Sequence, residues 1–114
     1  MIFSKKYDVV QNNSPGYASF LRWPIEFPKL LQSVTAVART PMCFFVSPYM
    51  YKCIYVKVTV DTNMSRAVNT TNTSLFTIKD STAYYSNIPV LESPSLTSDI
   101  VLVTDEKDML EYLL

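Results

Sequence analysis

The residues best able to do chemistry are two cysteines, Cys43 and Cys53, set ten positions apart in the stretch "PMCFFVSPYMYKCIYVKVTV" together with five aromatic residues. A pair of thiols can form a disulfide, act as a nucleophile or contribute to a metal site. The chain has no histidine, so histidine acid/base catalysis and histidine-ligated metal are excluded, and two cysteines alone do not complete a structural zinc site. One glycine, Gly16, leaves no phosphate-cradling loop, dinucleotide fingerprint or nucleophile elbow. The adjacent carboxylates Asp105 and Glu106 stand at a helix start, where they complement the positive N-terminal end. No catalytic, cofactor-binding or metal-binding residue is assigned, and the chain is expected not to be an enzyme.

The aromatic residues offer a second kind of chemistry. Reading the stretch as a hairpin, with strands 41–46 and 50–60 turning at Ser47, Pro48 and Tyr49, sets Cys43 opposite Cys53 and Phe45 opposite Tyr51. Directly opposed residues lie about 4.5–5.5 Å apart, within disulfide range, although a reducing compartment would keep both as thiols. One hairpin face is aliphatic, from Met42 to Val60, and the other carries Phe45, Tyr51 and Tyr55 beside Lys57. The aliphatic face is expected to be core. The aromatic face either packs under a neighbouring element or meets a partner, since Tyr and Trp are favoured at protein interfaces.

Elements around this hairpin follow from periodicity. "PKLLQSVTAVAR" places apolar residues at 30, 31, 34, 37 and 38 behind a proline, which predicts a helix over about 28–39 that stops at Pro41. "KKYDVV", "SLFTIK", "TAYYSN" and "DIVLVT" read as strands, and "IPVLESPSLTS", with two prolines, as an extended surface crossing. "DEKDMLEYLL" reads as a helix over about 105–113, capped by Thr104, with Met109, Leu110, Leu113 and Leu114 in one stripe. A stripe that reaches the chain end implies docking on the core or on another molecule. With one glycine, turns of positive φ are expected to be rare or filled by Asn and Asp, which argues for longer loops. The fold class expected is α+β: a small antiparallel sheet built on the central hairpin at about 42–60, flanked by the two helices. An irregular arm at 1–27 precedes a single domain at 28–114.

Apolar content is 48% and charge 18%, a composition that folds rather than stays disordered. No apolar run approaches the roughly 20 residues of a membrane helix, and no secretory signal is evident at the N-terminus. An intracellular setting, cytoplasmic or within a viral assembly, is expected, and the sequons at Asn12, Asn63, Asn69 and Asn72 are then coincidental. Net charge is zero, but residues 1–57 hold seven cations against two acids, and residues 58–114 three against eight. This division makes either two complementary surfaces or a local cancellation of interleaved halves.

These features point to a non-enzymatic structural or accessory protein working through protein contacts or self-association, for example a viral accessory or capsid-associated component. The expected contact residues are Tyr17, Phe20 and Trp23 in the arm, Phe45, Tyr51, Tyr55 and Lys57 on the sheet, and Leu113 and Leu114 at the end. The alternative is a single-stranded nucleic-acid-binding module using the aromatic sheet face, with Lys5, Lys6, Arg22, Lys29 and Arg39 as phosphate contacts. A pI near 6.1 weighs against it.

Overall fold

The computed structural model describes residues 2–6, 22–68, 76–97 and 99–113. Ser47 and Pro48 set the course of the central stretch. The Ser47 Oγ accepts the Met50 N–H at 3.1 Å and its carbonyl accepts the Tyr51 N–H at 2.9 Å, so Ser47 is an N-cap and Pro48 the first helical residue. The expected hairpin at 42–60 is therefore not formed. A four-residue strand, β2 (Cys43–Val46), runs directly into a helix of 21 residues, α2 (Pro48–Val68). Met50, Ile54 and Val58, four apart, are buried along one side of α2, and Val56, which a strand would place beside them, is 62% exposed.

The preceding helix, α1 (Trp23–Ala36), starts five residues ahead of the expected position because Pro24 takes its first turn; Pro28 lies inside it. It buries Phe27, Leu30 and Val34. Its end is a Schellman turn: Ala38 (φ 54°) donates to the Thr35 carbonyl and Arg39 to the Val34 carbonyl, with alanine in the left-handed position that usually holds glycine.

The remaining elements are strands β1 (Ile2–Lys6), β3 (Phe76–Lys79), β4 (Thr82–Tyr85), β5 (Ile88–Glu92) and β6 (Asp99–Val103), followed by helix α3 (Glu106–Leu113). The fold is α+β, as expected, but the sheet is neither small nor purely antiparallel. It has six strands in the order β1-β6-β2-β5-β4-β3, and β2 and β5 pair in parallel. The segment read as a surface crossing supplies β5, with Val90 fully buried. Pro89 lies ahead of the residues of β5 that pair with β2. The sheet does contain two-residue hairpins: Asp80 and Ser81 join β3 to β4, and Ser86 and Asn87 join β4 to β5, all four with positive φ. Serine shares with Asp and Asn the work that glycine would do in such turns.

Helices cover both faces of the sheet. On one face α1 and α2 enclose Phe27, Leu30, Phe44, Ile54, Phe76 and Tyr85. On the other, Cys43, Phe45, Val101 and Val103 lie beneath Met109 and Tyr112 of α3. All four residues of β2 are consequently buried, which accounts for its unbroken apolar sequence.

Candidate interaction surface

The residues expected to form one aromatic sheet face are divided by this architecture. Phe45 has no exposure, and its ring stacks on Tyr112 at 5.4 Å on the α3 side. Tyr51 and Tyr55 sit on α2, on the opposite side of the sheet, with ring centroids 6.0 Å apart. The Tyr51 hydroxyl accepts the Ala83 N–H at 3.3 Å, so it fastens α2 to β4. Trp23 packs on Phe76 at 4.7 Å, and the Lys57 ammonium lies 5.5 Å from the indole centroid, a cation–π contact. The structure thus brings Trp23 to Lys57 and Tyr51 to Tyr55, and separates both pairs from Phe45. Tyr17, Phe20 and Leu114 lie outside the described residues.

The cysteines are separated in the same way. Cys43 belongs to the core under α3, and Cys53 packs against the core under α1 and α2. The sheet stands between them, and both are free thiols. Burial pushes the Cys43 thiol up to about 11. Burial also raises Cys53, opposed in part by a hydrogen bond with Tyr49. Neither is an activated nucleophile. Among the described residues, no three metal-ligating side chains converge, and no helix is long and apolar enough to cross a membrane.

Helix α3 carries the clearest surface feature. Asp105 caps it: the Asp105 carboxylate accepts the Lys107 N–H at 3.0 Å. The helix docks through Met109, one member of the expected stripe, and Tyr112, three residues on, while Leu110 and Leu113 of that stripe do not join this core. Leu110 and Leu113 point away from the core at 55% and 50% exposure, in line with exposed Glu106 one turn earlier. Acids surround this stripe. Burial first, then Glu111, Asp99 and Asp108, raise the pKa of the Tyr112 hydroxyl.

The opposite layer has matching stripes of reversed charge. Tyr49, Lys52, Val56 and Thr59 form the outer side of α2, and Ile25, Lys29, Gln32 and Ala36 that of α1, all exposed. Residues 22–68, which build this layer and β2, contain six cations (Arg22, Lys29, Arg39, Lys52, Lys57, Arg66) and two acids, Glu26 and Asp61. Residues 99–113 contain five acids (Asp99, Asp105, Glu106, Asp108, Glu111) and one cation, Lys107. Strands from the two halves interleave in the sheet, but their helices occupy opposite faces, so the charge separates by layer. Glu106, Leu110, Lys52 and Val56 were not among the contact residues expected from sequence; their signal is the spacing of four, legible once each segment is known to be helical.

One further surface is open. Thr77, Lys79, Tyr84 and Asn87 line a shallow groove on the half of the sheet beyond α3. It holds one aromatic ring and one cation, short of a stacking platform for a nucleic-acid strand. Comparison of the chain with models of protein families, with curated proteins and with solved structures gives no significant match.

Proposed function

We propose that this protein is a non-enzymatic structural or accessory component of a larger assembly, acting through protein contacts made mainly by the outer face of α3. The observation that carries this reading is the use of both sides of one short helix. Met109 and Tyr112 already hold α3 on the sheet, yet Leu110 and Leu113 stay half-exposed one turn apart. These two leucines, on an eight-residue helix that also carries three acids, lie outside the cluster that docks α3, and burying them in an interface would gain about 1 to 2 kcal/mol each. The acidic rim around them favours a basic partner surface. Leu113, expected as a contact, belongs to this face; Leu110 joins it.

A photo-crosslinking residue placed at position 110, in cells that naturally make the protein, tests this reading. Discrete protein adducts are expected from position 110 and not from the control position of Gln32, on the outer side of α1. Failure to obtain adducts from position 110 would overturn it.

A further inference from the structure

We infer that the partner of α3 is a second copy of this chain, docked head to tail, with the outer stripe of α3 lying on the outer stripe of α2 of the next copy. The inference rests on the contact reading above and names its partner. A molecule with zero net charge, five acids to one cation in the segment bearing α3 and six cations to two acids in the segment bearing α1 and α2, has its electrostatic complement in another copy of itself. A two-fold pairing through α3 would set acid against acid, and one through α2 cation against cation. Only a heterologous arrangement brings unlike layers together.

The stripes agree in detail. On α2 a cation precedes an exposed apolar residue by four positions, Lys52 then Val56. On α3 an acid precedes an exposed apolar residue by the same four, Glu106 then Leu110. Laid parallel, one helical turn sets Lys52 on Glu106 and Val56 on Leu110, and the next brings Thr59 towards Leu113. Both stripes are exposed, so docking needs no rearrangement of the fold. Eight residues make a helix about 12 Å long, which buries less than the roughly 1,000 Å² of a stable interface. Association is accordingly weak, and each docked pair leaves a free α2 at one end and a free α3 at the other, so further copies can add.

Sedimentation velocity and light scattering on the intact 13.0 kDa chain test the inference, from about 10 µM to about 1 mM and at roughly 20 and 500 mM salt. The expected result is a mass that grows with concentration at low salt and falls back at high salt. Lys52→Glu and Glu106→Lys each weaken association roughly tenfold, while circular dichroism stays unchanged because both residues are on the surface. An equimolar mixture of the two single variants recovers association, since each supplies the surface complementary to the other. A chain carrying both reversals recovers it as well.

A monomer at about 1 mM in low salt, insensitivity to salt and to either reversal, or no recovery on mixing would each overturn the inference. A monomer whose position 110 still crosslinks to a different protein leaves the contact reading standing and removes the second copy. A monomer without such adducts removes both.

Discussion

Replacing Ser47 with Ala removes the acceptor of the Met50 N–H at a site only 5% exposed, where water is a poor substitute. A loss of about 1 kcal/mol is expected, read as a lower urea midpoint, and Ser47→Asp should retain most of the cap. Cys43 makes a second prediction with a defined sign. Its thiol, raised by burial from 9.0 to about 11, stays protonated in the folded chain while the unfolded chain begins to ionise. Its contribution is therefore intact below about pH 9 and lost as pH rises towards 11, about 2 to 3 kcal/mol in all. Raised Tyr85 and Tyr112 add losses of the same sign. Unfolding free energies at pH 8 and pH 10.5 should show a steeper fall for the wild-type chain than for Cys43→Ala. At this scale the decisive signal was present in the sequence and carried two meanings. Serine followed by proline begins helices and also makes turns, and which of these Ser47–Pro48 does depends on whether the residues beyond them find a surface to bury against.

Helix α2 shows the same ambiguity spread over an element. Ile54, Val56, Val58 and Val60 alternate as a strand would, while Met50, Ile54 and Val58 recur every four residues as a helix would. β-branched residues tip local preference towards the strand, and packing overrides it. The two readings differ in what they require of Val56. In the helix Ile54→Ala opens a cavity in the core and costs about 2–5 kcal/mol, whereas Val56→Ala stays within about 0.5 kcal/mol. Equal costs at both positions in chemical denaturation would restore the strand. The elements that could be read correctly, β3, β4, β6, α3 and the body of α1, have unambiguous local periods and clear breakers. β5 could not, because two prolines look like a loop to any local rule, and its burial arises from β2 and β4 on either side.

Across the whole molecule, Phe27 holds distant strands to one helix. Its ring lies 4.7 Å from Phe44 on β2, 4.8 Å from Tyr85 on β4 and 5.2 Å from Phe76 on β3. Phe27→Ala is expected to cost about 3–5 kcal/mol, a large share of the 5–15 kcal/mol that stabilises a typical domain. Loss of near-ultraviolet dichroism at lower urea would report it, and Phe27→Leu should lose less. The two thiols and the expected aromatic face were likewise decided at this scale, since the sheet stands between Cys43 and Cys53 and between Phe45 and the tyrosines of α2. By itself the sequence determined the α+β class, the strands β3, β4 and β6, an acidic C-terminal helix and an opposition of charge between its halves, because each depends on composition or on neighbours a few residues apart. The tertiary structure alone decided that α2 is a helix, that β5 lies inside the sheet, and that the two charges face opposite ways. The physical reason is that parallel pairing of β2 with β5, residues almost fifty positions apart, selects which side chains are buried and sends the helices to opposite faces.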